Sequence, residues 1–437
     1  MSTTTPDPAA AKRTPFMRVV TASLIGTTIE WYDFFLYGSA AALVFNHVFF
    51  PESDPLVGTM LAFTTYAVGF IARPLGGLVF GHFGDRIGRK QLLVLSLLLM
   101  GGATFAIGLL PTYAAVGVAA PLLLTLLRVV QGFALGGEWG GAVLLVAEHG
   151  KPEHRGFWAS WPQAGAPGGN LLATAVLAVL AVTLPDEAFL DWGWRIPFLL
   201  SGVLVLIGLW VRLAVTESRV FQEARARAEE SGEQERAPII GVLRHHWREA
   251  LIAMGVRMAE NVSYYVVTAF ILVYATQQAD MPNGLVLNAV LIASAVHLVT
   301  IPLWGALSDR VGRRPVTALG AAGVALWAFA FFPLIDTGAF WAVTLAATVG
   351  LVMHGAMYGP QAAFFSELFS TRTRYSGASV GYQMASIAAG GVAPLIATAL
   401  LAAFGTSLPI SVYVAAMGAL TLTAVWASRE TRGRSLD

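Results

Sequence analysis

Gly81-His82-Phe83-Gly84-Asp85-Arg86-Ile87-Gly88-Arg89-Lys90 is a small charged island between two long apolar runs. It returns as Gly305-Ala306-Leu307-Ser308-Asp309-Arg310-Val311-Gly312-Arg313-Arg314. The offset from Asp85 to Asp309 is 224 residues, close to half of the 437-residue chain. A repeat of that period in an apolar chain predicts two similar membrane halves rather than one soluble core.

Composition supports this reading. The chain is 56% hydrophobic and 12% charged, with a mean hydropathy of +0.66, whereas a soluble domain carries about 25% charged residues. It holds no cysteine, so disulfide and thiolate chemistry are excluded. The formal net charge of +1 points to no nucleic-acid partner. Met1 to Pro15 is polar, with no apolar run leading to a cleavage site. The first membrane span is therefore expected to act as an uncleaved insertion signal.

Working outward from the two islands, twelve apolar segments can each cross a hydrocarbon layer of about 30 Å. Spans 1 to 6 are expected at 18–43, 58–81, 91–110, 120–147, 157–182 and 194–213. Spans 7 to 12 are expected at 249–275, 285–307, 315–334, 340–366, 376–401 and 407–427. All but four of the 27 Lys and Arg residues fall in the termini and the even-numbered connections; Arg73, Arg128, Arg195 and Arg257 are the exceptions. The opposite connections carry Glu52, Asp54, Asp186, Glu187, Asp191, Asp280 and Asp336. The positive-inside rule then predicts both termini in the cytoplasm. The expected organisation is a cytoplasmic tail (1–17), a six-helix bundle (18–213), a cytoplasmic linker (214–248), a second six-helix bundle (249–427) and a short tail (428–437).

With these motifs in place, the chain resembles the major facilitator superfamily, and within it the metabolite:proton symporter group. The superfamily's loop motif is matched by Gly81 to Lys90 and again by Gly305 to Arg314, and its span 4 motif by Arg128-Val129-Val130-Gln131-Gly132. Longer strings carry the resemblance to the group. They are Glu30-Trp31-Tyr32-Asp33-Phe34-Phe35-Leu36-Tyr37-Gly38, Arg73-Pro74-Leu75-Gly76-Gly77 and Gly136-Gly137-Glu138-Trp139-Gly140-Gly141. Trp192-Gly193-Trp194-Arg195-Ile196-Pro197-Phe198, Arg374-Tyr375-Ser376-Gly377 and Gly381-Tyr382-Gln383 extend them. The chain is most similar to the shikimate permease branch. The resemblance implies an all-α polytopic membrane protein of the major facilitator fold, with twelve transmembrane helices in two pseudo-twofold related bundles. It also implies proton-coupled transport of a small organic acid, such as shikimate or a related carboxylate or dicarboxylate. Other members carry 2-oxoglutarate, citrate, aromatic acids, proline or betaine. The osmosensing proline/betaine members typically have a long C-terminal extension, which the short tail here does not match.

The intramembrane polar residues supply the candidate chemistry. Glu30 and Asp33 lie three apart on one face of span 1. Desolvation favours the neutral form of a buried carboxylate, so such a group can exchange a proton during transport. Glu138 and Glu260 are the other proton-coupling candidates. Arg128 is ten residues from Glu138, about 15 Å along the helix, so each needs a partner on another span. For Arg128 that partner is a span 1 carboxylate or the carboxylate of the substrate. For Glu138 it is Arg73. Arg257 and Glu260 repeat the three-residue spacing on span 7, with Asn261, Tyr264 and Tyr265 beside them. Arg257 either neutralises Glu260, leaving Asn261 and Tyr264 to bind a hydroxylated substrate, or binds a carboxylate itself. Tyr37, Gln131, Trp139, His354, Tyr358, Gln361, Tyr382 and Gln383 complete the expected substrate set, and His297 on span 8 is a further titratable group. Trp31, Tyr37, Trp139, Trp158 and Trp161 are candidates for an aromatic wall.

A second repeated pair, Glu148 to Arg155 and Glu367 to Arg374, sits at the ends of equivalent spans. It is expected to join Asp85 with Arg86, and Asp309 with Arg310, in salt-bridge clusters that close the cytoplasmic side. Arg89 and Arg313 belong to the same islands. No cofactor beyond the proton, no metal cluster and no catalytic triad is indicated, so the chain reads as a transporter and not an enzyme. Its expected partners are a small organic anion, protons and the lipid bilayer of a bacterial inner membrane, with the monomer as the working unit. The alternatives are a symporter of zwitterions such as betaine or proline, a non-transporting sensor, and a drug/proton antiporter.

Overall fold

The computed structural model describes residues 16–434 apart from 88, 137–145, 147–151, 215–245 and 370–373. Glu138, Trp139 and Glu148 lie outside the described residues, as do the side chains of Asp85, Arg86, Arg89 and Arg374. Twelve long helices run through the described chain. In the first half they are α1 (Phe16–Leu43), α2 (Pro55–Ile87), α3 (Arg89–Gly108), α4 (Ala119–Leu135), α5 (Arg155–Thr183) and α6 (Arg195–Ala214). In the second they are α7 (Trp247–Gln277), α8 (Asn283–Val311), α9 (Arg313–Asp336), α10 (Phe340–Leu368), α11 (Arg374–Ala385 continuing through Ser386–Gly391 to Ala393–Phe404) and α12 (Leu408–Ala427).

Among the described residues, eight helices are long and apolar enough to cross a membrane by length and composition alone. The segment Asp186–Gly193 joined to Arg195–Val211, bent by 45°, makes a ninth. The outer surface is apolar, with Trp210, Leu326 and Trp426 more than 70% exposed. In water such a surface would be a liability, but in lipid it is the expected exterior.

Both charged islands extend helices rather than forming turns. Gly81 to Ile87 continues α2, and Gly305 to Val311 continues α8. The second island breaks only at Gly312, whose φ of +118° is a conformation that side chains with a Cβ rarely adopt. This glycine lets α9 start one residue after α8 ends.

Close packing holds each half together. A Cβ built on Gly132 of α4 would collide with the carbonyl of Gly69 on α2. The two helices therefore touch backbone to backbone at the start of the segment 132–136, where small residues admit such contact. Between the halves, α5 packs along α8 and α10, α2 along α11, and α1 along α7. Two helices depart from regular geometry beside this interface. α7 is interrupted at Arg257 and again by a π-helical turn at Val266–Phe270, and α11 has a π-helical turn at Ser386–Gly391. Such wide turns inside membrane helices are common where side chains are aimed at a site.

Candidate functional site

A small buried cavity, with room on the order of one water molecule, lies between the halves. Its polar lining comes from Arg257, Glu260, Asn261, Tyr264 and Tyr265 of α7 and from His354 and Tyr358 of α10. Its apolar lining is Trp31 and Phe35 of α1 and Ala166 of α5. The interruption of α7 sits immediately before this polar cluster, with Arg257 at φ −89°, ψ −9°.

Glu260 is the centre of the cluster. Arg257 Nε donates to its Oε2 at 3.0 Å, Gln361 Nε2 donates to the same oxygen at 3.2 Å, and Asn261 Nδ2 does so at 3.4 Å. His354 Nε2 reaches Oε1 at 3.3 Å. A carboxylate accepting from four donors, one of them a guanidinium, is satisfied as an anion despite burial. Arg257 is further held by Asn261 Oδ1 at 3.4 Å and by the ring of Tyr382, whose centroid lies 3.3 Å from its guanidinium carbon. Its Nη1 has no hydrogen-bond partner, and neither does the Tyr264 hydroxyl. Two donors are thus aimed at the cavity, each costly to leave without a partner. Beyond His354, His297 of α8 completes a chain, with His354 Nδ1 and His297 Nε2 2.9 Å apart.

Aromatic rings cover the other side of the cavity. Trp31 stacks on Phe35 at 5.0 Å, and Phe35 packs on Tyr264 at 5.1 Å. Phe34, Tyr66 and Phe70 extend this wall through Tyr265, which lies 5.6 Å from Phe70 and 6.0 Å from Tyr66.

The first-half candidates form a separate cluster. Arg128 is fully buried in a cage of Phe34, Tyr37 and Tyr66, 4.4–4.5 Å from each ring centroid. Its Nη1 donates to Gln131 Oε1 at 3.0 Å, and Gln131 Nε2 donates to Thr104 Oγ1 at 2.7 Å. Asp33, also buried, lies beside Thr104, and its Oδ1 has no partner. Asp33 and Arg128 therefore form no ion pair, contrary to one of the two expectations for Arg128. Asp33 turns instead toward α3, where Gly101 and Thr104 lie beside it, and Thr104 in turn accepts from Gln131. Tyr37 hydrogen-bonds Thr65 at 2.6 Å and does not line the cavity. Gln383 donates across the halves to the carbonyl of Gly136 at 3.0 Å. Trp158 and Trp161 also lie away from the cavity, packed with Phe157. Glu30 is buried on α1 but is not among the cavity-lining residues.

A second ionic cluster closes the arginine-rich end. Glu367 of α10 accepts from Arg155 of α5 at 3.1 Å and from Arg313 of α9 at 3.1 and 3.2 Å. Asp309 of α8 accepts from Arg313 at 2.7 Å and from the Gly156 and Phe157 backbone N–H groups at 2.8 and 2.9 Å. Those two N–H groups open α5, so an anion there also meets the positive end of the helix dipole. The expected partner of Asp309 is thus corrected from Arg310 to Arg313. Four residues on, Arg313 stacks over Asp309, whereas the adjacent Arg310 is exposed.

The segment after α12 completes this end. Thr431 Oγ1 donates to Glu367 at 2.8 Å, and the Arg434 carbonyl accepts from Arg155 at 3.0 Å. Glu430 accepts from the backbone N–H groups of Arg313, Arg314, Thr431 and Arg432 at 2.9–3.1 Å. Burial pushes its carboxyl up, but these four donors outweigh it and hold it below the usual carboxylate range.

Comparison with known proteins places this architecture. The Major Facilitator Superfamily profile matches residues 23–391. The chain belongs to the major facilitator superfamily, in its metabolite:proton symporter group. It is 44% identical over 424 residues to the inner membrane metabolite transport protein YhjE of Escherichia coli K12, covering 96% of this chain and 95% of that one. It is 43% identical over 415 residues to the shikimate transporter of the same organism, with 94% of each chain covered. The proline/betaine transporter of E. coli K12 is more distant, at 32% over 427 residues, with 96% of this chain and 84% of that one covered. Among solved structures, a D-xylose-proton symporter superposes with a TM-score of 0.74 at 19% identity, covering 97% of this chain and all of the other. That likeness bears out the expected all-α, twelve-helix fold. This multi-pass membrane protein belongs to a family of transporters rather than enzymes.

Proposed function

We propose that the chain carries a small organic acid, such as shikimate or a related carboxylate or dicarboxylate, together with a proton into the bacterial cytoplasm by alternating access. The observation that carries this reading is Arg257 Nη1, a cationic donor left unpartnered in a closed cavity while the same guanidinium is held by Glu260. A carboxylate entering from outside would be a natural ligand for that donor. Asn261, Gln361 and the Tyr264 hydroxyl supply hydrogen bonds for ring hydroxyls, and Trp31, Phe35 and Tyr264 offer a flat apolar wall. The two relatives at 44% and 43% identity are transporters by name, one of them for shikimate.

Coupling follows from charge. While Glu260 is ionised it occupies Arg257. A proton on Glu260 removes that competitor and lets the substrate carboxylate take the guanidinium, so the buried charge stays balanced. Asp33, next to Thr104 in the first half, is a second carboxylate that can hold a proton. Glu30 and Glu138 remain candidates of the same kind. With proton and anion bound, the halves rock about the cavity, and the ionic cluster of Asp309, Arg313, Glu367 and Arg155 opens to the cytoplasm. Positive charge concentrated at that end supports a topology with both termini in the cytoplasm. The protein works as a monomer, using the proton as its coupling ion.

The test is uptake into proteoliposomes under an imposed inward proton gradient, comparing shikimate, dicarboxylates, aromatic acids and betaine. Saturable, gradient-driven shikimate or dicarboxylate uptake is the expected result. Betaine uptake without acid uptake would favour a zwitterion symporter, for which the aromatic wall offers cation–π contacts.

A further inference from the structure

Hydrogen-bond accounting along α7, α10 and α8 gives the two histidines a direction. Glu260 is acceptor-only as an anion, so His354 Nε2 must carry the proton it donates to Oε1. Neutral His354 then has a bare lone pair at Nδ1. His297 Nε2, 2.9 Å away, must donate to it. His297 is left with an acceptor at Nδ1, and that atom is fully buried and without a partner. Every hydrogen bond in the row therefore points toward Glu260, and its far end is an open proton-accepting nitrogen.

We infer that His297 is the terminal residue of a proton relay running His297–His354–Glu260. This rests on the symport reading above and assigns that reading a further residue. The transfer balances atom by atom. A proton adds to His297 Nδ1, the Nε2 proton of His297 passes to His354 Nδ1, and the Nε2 proton of His354 passes to Glu260 Oε1. Both imidazoles end neutral, each protonated at Nδ1, and Glu260 ends as a carboxylic acid that no longer holds Arg257 by charge. Return along the same row resets the tautomers.

The surroundings leave this row as the local titratable path. On α7, Arg257 and Tyr264 face it, with Tyr264 ring centroids 4.8 Å from His354 and 5.8 Å from His297. On α10, Tyr358 lies 5.3 Å from His354. Tyr382 of α11 lies against Arg257. The cavity residues contributed by α1 and α5 (Trp31, Phe35 and Ala166) are uncharged. α9 carries charge only at its ends, in Arg313, Arg314 and Asp336. Ordinary tyrosines hold their protons at neutral pH and arginine cannot give one up. The histidines alone combine a free acceptor with a proton to pass on.

The decisive variant is His297→Gln. Its amide can donate to His354 Nδ1 and so preserves the packing and the hydrogen bond, but it cannot accept a proton and pass one on. In proteoliposomes, gradient-driven accumulation of shikimate should fall by at least about tenfold, as expected when a proton-transfer group is lost. Equimolar shikimate exchange, which needs no net proton movement, should stay near the wild-type rate. Wild-type accumulation and pH profile in His297→Gln would overturn the relay. A wild type that moves no shikimate would instead tell against the proposed cargo. A second readout needs no substrate: 15N spectra of histidine-labelled, purified full-length protein. They should show one N–H···N coupled histidine pair; in His297→Gln the signals of one member disappear and those of His354 shift. Two histidines that titrate independently would overturn the relay whatever the cargo.

Discussion

Arg155, the first residue of α5, donates to Glu367 near the end of α10 across 3.1 Å, joining the two halves of the molecule through a pair of buried side chains. Arg313 shares the same carboxylate, and Asp309 shares Arg313. One glutamate thus balances two arginines from opposite halves, and the alternating-access cycle must separate them each time this end opens.

Neutralising that glutamate should shift the cycle. Removing one partner of a buried ion pair costs about 3–5 kcal/mol, because the charge left behind stays desolvated. Glu367→Gln removes the charge shared by Arg155 and Arg313; their other acceptors among the described residues are the Arg434 carbonyl for Arg155, and Asp309 and Ser308 for Arg313. The closed arrangement at this end should lose population to the open one. The chain has no cysteine, so Ser160→Cys, fully buried against α8, makes a clean reporter. Its labelling by a maleimide should speed up when Glu367→Gln is added. An unchanged rate would mean the cluster does not hold this end shut.

Backbone contact in the first half makes a second prediction. Gly132→Ala places a methyl group on the carbonyl of Gly69, so α2 and α4 must separate. That separation would also loosen the cage around Arg128, whose side chain presses against Gly69. The variant should show reduced yield of folded protein and a lower Tm in detergent, with the loss greater than for Gly102→Ala, where nothing lies near. Overpacking of this kind typically costs about 1–3 kcal/mol.

Which of these contacts could be read from the chain alone follows from what lipid demands. A hydrocarbon layer requires continuous apolar helices, so the spans and their number are legible as hydropathy, and the 224-residue echo of Asp85 in Asp309 reveals the two halves. The pairing of Arg257 with Glu260 is legible too, because it lies within one turn of one helix. Arg155 and Glu367 are 212 residues apart, and nothing local says that α5 meets α10. Asp33 shows the same limit. Its spacing from Glu30 puts it on a known face of α1, but only packing against α3 decides that this face meets Thr104 and not Arg128. His297 reads as a lone histidine until α8 and α10 bring it to His354. Glu430 and Thr431 lie in a short tail with no pattern of their own, and they matter because four backbone donors and Glu367 await them.

Acid should undock that tail. Glu430 has its folded carboxyl held below the usual range by backbone donors, against the opposing effect of burial. Its contribution is therefore present above the unfolded value, about 4.3, and is lost as the pH falls through the lower folded value. Glu430→Gln should lower the Tm of the detergent-solubilised protein slightly at pH 7, by about 1 °C for a chain of this size. The difference between variant and wild type should shrink toward zero below about pH 4. A difference that persists in acid would assign the effect to the shape of the side chain and not its charge.

The central pair separates binding from coupling. Arg257→Lys keeps a cation but loses the planar fork that holds Glu260, Asn261 and the Tyr382 ring at once. The apparent KM for the transported acid should rise by about tenfold or more, the scale of one charge-assisted hydrogen bond lost. Glu260→Gln makes the opposite change. It mimics the protonated carboxyl, releases Arg257 from its internal anion and should leave substrate exchange intact or faster. Accumulation against a gradient should disappear, because the site can no longer register the proton. Parallel uptake and exchange assays on the two variants distinguish these outcomes. Equal loss of exchange in both would mean that Arg257 and Glu260 form a structural tie and that coupling resides with Asp33 and Thr104 in the other half.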